Sequence, residues 1–253
     1  MRPATTTRAV MLAALLLLFA QPAAAPLVPA ETCRGQVALA IGNDAYPEAP
    51  LRNAGRDAGG VADSLRRLGY QVEILHDAGR DATVEAIRRF AGQTRTACRA
   101  VLDFAGHGVT LPDGRAVLVP VAARWTDPAV LSAEVGIPLA PLIPLLRPAR
   151  DGVVVLILDT HFPAHFGGEP AVVMPSYPNQ LLAYAAAPDG LAQDGAGEHG
   201  PFAAALIAAL ATPGSSLTDL FQRVAADVRV ATGGSQRPWF TSTLTEDVGL
   251  AAP

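Results

Sequence analysis

The sequence has no lysine and few aromatic residues. All nineteen basic residues among the 253 are arginine, they form no cluster, and the formal net charge is −4. A chain without a basic patch lacks the electrostatic attraction that a phosphate backbone exerts on its binding proteins. We therefore do not expect nucleic acid among the partners of this protein.

The sequence also lacks an apolar run long enough to span a bilayer. Ala9–Ala20 has 12 residues, whereas a span needs about 20. Two arginines precede this run and small residues follow it, a pattern typical of a secretory signal peptide. We expect residues 1–30 to be a signal peptide, cleaved after Ala25 or Ala30, and the mature chain to be exported to the periplasm or the extracellular space without a stable membrane span. An uncleaved membrane anchor is the alternative.

The remaining residues, 31–253, predict a single α/β domain. Strand-like and helix-like patterns alternate along them, which favours a mostly parallel central sheet with helices on both faces. The predicted strands are Gln36–Ile41, Tyr70–Leu75, Ala100–Phe104, Gly152–Leu158 and Gln180–Ala186. The predicted helices are Asn53–Leu68, Asp81–Arg95 with Asp81 as its cap, Leu139–Leu146, Pro201–Leu210 and Leu217–Ala231. A hairpin is predicted over Val109–Val121, and a long loop over His161–Asn179.

The chain has only two cysteines, Cys33 and Cys98, and each comes just before a predicted strand. If those two strands are parallel neighbours, both cysteines lie at the amino-terminal edge of the sheet. An exported protein meets an oxidising environment, in which such a pair forms a disulfide. We predict a Cys33–Cys98 bridge, with two buried thiols as the alternative.

Two of the apolar runs end abruptly in polar residues. Ala100–Gly108 has the sequence A-V-L-D-F-A-G-H-G, and Val153–His161 has V-V-V-L-I-L-D-T-H. These and four other segments resemble, in order and spacing, the caspase and metacaspase family, in particular its bacterial members. The other segments are A-L-A-I-G-N-D-A-Y (Ala38–Tyr46), L-R-N-A-G-R-D-A (Leu51–Ala58), L-L-A-Y-A-A-A-P (Leu181–Pro188) and P-W-F-T-S-T-L (Pro238–Leu244).

The resemblance implies a three-layer caspase-like fold and the site of a cysteine endopeptidase. In that family a histidine takes the proton of a cysteine thiol, and glycines beside the histidine let substrate backbone approach. His107 matches the histidine, flanked by Gly106 and Gly108. His161 occupies the position of the cysteine. We therefore expect cysteine-protease chemistry to be lost, and we expect no cofactor.

The resemblance also implies a pocket for a basic side chain. Asp57 and Asp159 match acidic positions that bind a basic P1 residue in metacaspase-like members, and carboxylates suit a guanidinium because two parallel hydrogen bonds form. The alternatives are a solvated helix charge for Asp57 and a structural strand-end carboxylate for Asp159. Asp103 is expected to serve packing or an edge hydrogen bond, and Asp194-Gly195 is typical of a turn.

Two other kinds of chemistry are weaker interpretations. His107, His161 and His165, with a nearby aspartate, could supply metal ligands, but Pro163 interrupts the helical spacing of the last two. We therefore interpret them as loop histidines and predict no metal. Thr160 is a poor alternative nucleophile, because strand alternation directs it away from the side of position 161.

The expected function is that of a catalytically inactive pseudo-protease that binds peptide or protein segments through arginine side chains. An active endopeptidase of this family that cleaves after arginine by altered chemistry, such as metal-assisted hydrolysis, is the alternative. A purely structural domain is a third interpretation. The sequence does not indicate an oligomeric state, whether monomer or larger assembly.

Overall fold

A computed structural model describes residues 33–123, 135–160, 162, 172–188, 190–212, 214–246 and 248–251. The predicted signal peptide, His161 and His165 lie outside these ranges. Contacts group Thr32–Pro253 into one compact unit. Within the ranges given, no helix combines the length and the apolar character that crossing a membrane requires.

A six-stranded sheet lies at the centre of this unit. The strands in chain order are β1 (Gln36–Gly42), β2 (Gln71–His76), β3 (Arg99–Ala105), β4 (Gly108–Thr110), β5 (Ala116–Leu118), β6 (Ile137–Pro138), β7 (Val153–Asp159), β8 (Gln180–Tyr184) and β9 (Trp239–Ser242). The central sheet has the order β2-β1-β3-β7-β8-β9, and β4, β5 and β6 form a small antiparallel sheet. All pairs of the central sheet are parallel except β8 with β9.

Helices cover both faces of the central sheet. They are α1 (Ala54–Arg67), α2 (Arg80–Thr94), α3 (Leu139–Leu145), α4 (Pro201–Leu210) and α5 (Leu217–Ala231). Helices α2 and α3 pack on one face, and α1, α4 and α5 pack on the other. Strands β3 and β7 lie in the middle and are mostly apolar on both faces, as is typical of strands covered on both sides; Asp103 of β3 is an exception. The predicted three-layer α/β architecture is confirmed.

Most predicted elements appear with boundaries shifted by one or two residues. The predicted hairpin is formed by β4 and β5, which pair Gly108 with Leu118. The predicted cap of α2 is wrong: Gly79 occupies the N-cap, while Asp81 lies in the first helical turn. An acidic side chain in the first turn still interacts favourably with the helix dipole. Asp81 therefore does mark the start of α2, but it lies two residues after the N-cap.

The register of three neighbouring strands creates a shared edge at their carboxyl ends. Ala105 of β3 lies beside Gly42 of β1 on one side and beside Asp159 of β7 on the other. The segments that follow β1, β3 and β7 therefore leave the sheet together. This edge carries the residues that the sequence motifs singled out.

Gly42 lets helix α1 lie directly against the end of β1. A Cβ atom at Gly42 would come within 2.6 Å of the carbonyl oxygen of Ala54 and within 2.8 Å of the Cβ atom of Ala58. Both contacts are too short for real atoms, so only glycine permits this approach. The approach brings the first turn of α1, with Asp57, to the edge of the sheet.

Replacing Gly42 by alanine should separate α1 from β1 and destabilise the fold. We expect Gly42→Ala to lower the free energy of unfolding by about 1–3 kcal/mol, the usual cost of overpacking. Gly59→Ala, in helix α1, is the matched control, because an added Cβ there meets nothing within 4 Å. This substitution should raise the free energy of unfolding by about 0.5–1 kcal/mol. Urea denaturation measures both values, and a Gly42→Ala protein as stable as the wild type would contradict the argument.

The predicted disulfide is confirmed. Cys33 and Cys98 are bridged, with 4.7 Å between their Cα atoms and a sequence separation of 65. Since β1 and β3 are parallel neighbours, the two cysteines meet at the amino-terminal edge of the sheet, opposite the edge that carries His107 and Asp159. The bridge uses both cysteines of the chain, so neither is available at the other edge.

Removing the bridge should destabilise the protein without altering the opposite edge of the sheet. A closed loop of this length predicts a loss of about 4 kcal/mol in the free energy of unfolding, from the entropy of the unfolded chain. The Cys33→Ala/Cys98→Ala double variant, compared with the oxidised wild type by urea denaturation, measures this loss. A difference below about 1 kcal/mol would show that the bridge does not constrain the unfolded chain as this model requires.

Candidate functional site

A small cavity of about 80 Å³ opens at the carboxyl edge of the sheet. It brings together four residues that the sequence singled out: His107, Gly106, Asp57 and Asp159. Gly108 does not line it and instead begins β4. The complete lining is Leu51, Ala54, Asp57, Ala105, Gly106, His107, Asp159, Thr160, Ala192, Gln193 and Asp194.

A short hydrogen bond helps to orient the His107 imidazole. Its Nε2 atom lies 2.7 Å from the carbonyl oxygen of Ala49. A carbonyl oxygen only accepts hydrogen bonds, so Nε2 carries the proton, and Nδ1 is the basic nitrogen of the neutral ring. The ring also contacts Tyr46, with 4.5 Å between the ring centroids. Ala49 and Tyr46 thus fix the orientation of the ring at the cavity.

The hydroxyl of Tyr46 links the backbone of His107 to the backbone of Val119. This hydroxyl accepts a hydrogen bond from the backbone N–H of His107 at 3.0 Å and donates one to the carbonyl oxygen of Val119 at 2.9 Å. Burial raises the pKa of the Tyr46 hydroxyl above its ordinary value, so the group stays neutral. A Cβ atom at Gly106 would lie 2.6 Å from this hydroxyl. Glycine is thus needed here for the close approach of Tyr46.

Asp57 is buried, with 4% of its surface exposed, which excludes the alternative of a solvated helix charge. Its carboxylate lies 2.9 Å from Nδ1 of His199 and accepts the backbone N–H of Gly200 at 3.2 Å. Gly200 is the N-cap of α4. Burial raises the pKa of Asp57 to about 6, although the hydrogen bonds from His199 and Gly200 oppose that shift.

Asp194 is a member of the site that the sequence interpretation missed. Its carboxylate accepts hydrogen bonds from the backbone N–H groups of Arg52 at 2.7 Å and Asn53 at 3.1 Å. The Asn53 side chain in turn donates to the backbone carbonyl oxygens of Asp194 and Gly195. These bonds tie the segment before α4 to the start of α1, and the segment becomes a wall of the cavity.

No local sequence signal could have revealed this role of Asp194. It lies 142 residues from Arg52, and an Asp-Gly pair predicts a turn wherever it occurs. The same separation joins His199 to Asp57, and the sequence interpretation gave His199 no role. Only the packing of α4 against α1 brings Asp194 to the cavity and His199 to Asp57.

Asp159 ends β7 and lines the cavity, and Asp103 lies deeper in β3. Burial, followed by the negative charges of neighbouring aspartates, raises the pKa of each well above the usual range. Within the part of the chain that the structure describes, the Oδ2 atom of Asp103 has no hydrogen-bond partner. Among the described residues this oxygen makes no edge hydrogen bond. The buried side chain lies in the layer between the sheet and α1, which fits the packing role that was the other expectation for Asp103.

The cavity is acidic and has no arginine among its described lining residues. It suits a cationic group that donates hydrogen bonds. The metal interpretation depended on His161 and His165, which lie outside the described residues. Among the residues that are described, no group of three metal-ligating side chains could hold an ion. The position of His161 relative to His107 lies outside the description as well.

Comparisons with known proteins identify the family. The family model for the caspase domain matches residues 35–248. This chain belongs to the caspase-domain family. The match includes the strand ends that carry His107 and Asp159, so the resemblance deduced from the motifs is confirmed at the level of the family.

A solved structure shows the same fold at low sequence identity. The crystal structure of protein GSU0716 from Geobacter sulfurreducens matches with a TM-score of 0.67 and 18% identity, over 87% of this chain and 97% of that chain. At this identity the likeness concerns the fold alone. None of the curated proteins compared matches the sequence.

The buried carboxyl of Asp103 should make stability depend on pH. Its pKa is raised in the folded protein, so the folded state keeps a proton that the unfolded state releases above about pH 4. Stability from this group is therefore highest in acid and falls as the pH rises. Asp103→Asn should match the wild type near pH 4 and exceed it by about 1–3 kcal/mol near pH 8.

Urea denaturation at the two pH values measures this difference. Asp151→Asn is the control, because Asp151 is an exposed residue in the turn before β7 and lies outside the helices; its difference in stability between the two pH values should match that of the wild type. An Asp103→Asn protein that is less stable than the wild type near pH 8 would show that the Asp103 carboxylate is stabilised in the fold by a partner.

Proposed function

We propose that this protein is an exported caspase-fold pseudo-protease that binds peptide or protein segments through an arginine side chain and does not cleave them. The observation that carries the proposal is the convergence of Asp57, Asp159 and Asp194 on one cavity without a lining arginine. A cationic side chain that enters this cavity meets carboxyl groups from α1, from β7 and from the loop before α4.

Arginine suits this arrangement better than lysine does. A guanidinium presents a planar set of five N–H donors and keeps its charge in any protein environment. Two of the carboxylates are already oriented, since Asp57 is bonded to Gly200 and Asp194 is bonded to the backbone just before α1. The side chain of Asp159 accepts no hydrogen bond from the described residues, so its carboxylate is the one most in need of a ligand donor.

The absence of cleavage follows from the chemistry of the nucleophile. The family uses a cysteine thiolate, whereas this chain has His161 at that position and both its cysteines in the bridge at the opposite edge. His107 retains the orientation of a general base, but a base without a nucleophile does not form an acyl-enzyme.

The disulfide supports export, because such bridges persist in oxidising compartments.

Binding is tested with two ligands that differ only in charge. We expect the full-length protein to bind N-acetylarginine amide and to bind the citrulline analogue, which is neutral and nearly isosteric, at least about tenfold more weakly, because charge-assisted hydrogen bonds are lost. Asp159→Asn should weaken arginine binding by a similar factor. Asp113→Asn is the control, as this exposed carboxylate pairs with Arg115 at the hairpin.

Isothermal titration calorimetry measures these affinities. Equal affinity for the arginine and citrulline ligands would contradict recognition of a cation. Arginine affinity that survives Asp159→Asn unchanged would place the ligand elsewhere.

Cleavage is tested with fluorogenic peptides that carry arginine at P1. The wild type should show no turnover, and His161→Cys should create it, because the thiol would then meet the oriented His107. Wild-type turnover that is insensitive to thiol reagents and abolished by chelators would instead support the second candidate function, a metal-assisted hydrolase. The retained orientation of His107 on Ala49 is the observation that favours this second candidate.

A further inference from the structure

Asp103 lies on the same sheet face as the two strand-end residues that line the cavity. In the register of β3 and β7, Asp103 is beside Ile157, and Ala105 is beside Asp159. Side chains two residues apart along a strand project to the same face. The Asp103 side chain is therefore one step deeper than Ala105 and Asp159, on the face that α1 covers.

The surroundings of Asp103 give its carboxyl little compensation for burial. Only 2% of the residue is exposed, and its Oδ2 atom has no partner among the described residues. The same layer contains a cluster of alanines, which are Ala40, Ala54, Ala58, Ala62 and Ala105. A buried carboxyl oxygen without a hydrogen bond costs free energy, and such local costs concentrate at functional sites.

The groups that face Asp103 are predominantly acidic. Asp159 of β7 and Asp57 of α1 both disfavour its ionisation, and Asp57 and Asp194 do the same to Asp159. The basic group on this side is His199, which is bonded to Asp57. His107 follows β3 and is bonded to Ala49. Buried carboxyls in such a field keep their protons to a higher pH, and a positive charge that arrives beside them favours their ionisation.

We propose that Asp103 is a carboxyl buried behind the cavity lining, and that Asp103 and Asp159 together release one proton to solvent when a basic side chain binds. This inference rests on the proposed function, since it concerns the same cavity and ligand. The guanidinium keeps its own protons, so the charge of the bound ligand replaces that of the departing proton. Binding then strengthens about tenfold per pH unit wherever one proton is released, and the ligand is released in acid.

The experiment counts protons released on binding. N-acetylarginine amide is titrated into the full-length protein at about pH 7 in phosphate and in HEPES, and the difference between the two heats, divided by the difference in buffer ionisation enthalpy, gives the number of protons released. We expect about one proton for the wild type and clearly fewer for Asp103→Asn, which lacks one of the two carboxyls that can supply it. Affinity between about pH 6 and pH 8 should rise more steeply for the wild type than for Asp103→Asn. Any titration of Asp57 contributes to both proteins and cancels in the comparison.

Each outcome bears on one of the two proposals. If the wild type binds the arginine ligand without releasing a proton, this inference is overturned and the proposed function stays intact. This measurement needs no variant. Equal proton release by the wild type and Asp103→Asn removes Asp103 from the inference and also overturns it. Failure of the wild type to bind the arginine ligand contradicts the proposed function itself. Asp103→Leu provides a second variant without a titratable group, should the asparagine protein fold poorly.

Discussion

The parallel register of β1, β3 and β7 is the constraint on which the rest of this structure depends. Because Gly42, Ala105 and Asp159 lie side by side, the chain segments that leave the three strands share one edge. The opposite edge receives the two cysteines for the same reason, and they form a bridge there. The register thus places the disulfide at one edge of the sheet and the polar residues of the cavity at the other.

Burial of carboxylates at the polar edge shapes its electrostatics. Asp57 and Asp194 are compensated by backbone N–H groups at the beginnings of α4 and α1, where helix dipoles also favour negative charge. Asp103 and Asp159 have no such donors among the described residues, and their pKa values are raised accordingly. Two carboxyls at this edge are therefore anchored by backbone N–H groups, and two others are buried without such donors among the described residues.

Much of this arrangement was predictable because it follows from local patterns. Apolar runs, helix periodicity and the family motifs predicted the layers, the disulfide and the meeting of His107, Asp57 and Asp159 at one edge. The roles of Asp194 and His199 were not predictable, since each contacts a residue 142 positions away and has no distinctive neighbours in the sequence. Alternation along β3 predicted the face of Asp103 but not the lack of a partner for its Oδ2 atom.

The sequence by itself determined which chemical groups exist at the strand ends: a glycine-flanked histidine, an aspartate at each expected acidic position, and histidine where the family has cysteine. Covalent identity is a local property, and no packing changes it. The tertiary structure decided how those groups are ionised and held. Ionisation depends on the dielectric environment and on charges brought together from distant parts of the chain, and these exist only after α1 and α4 have packed against the sheet.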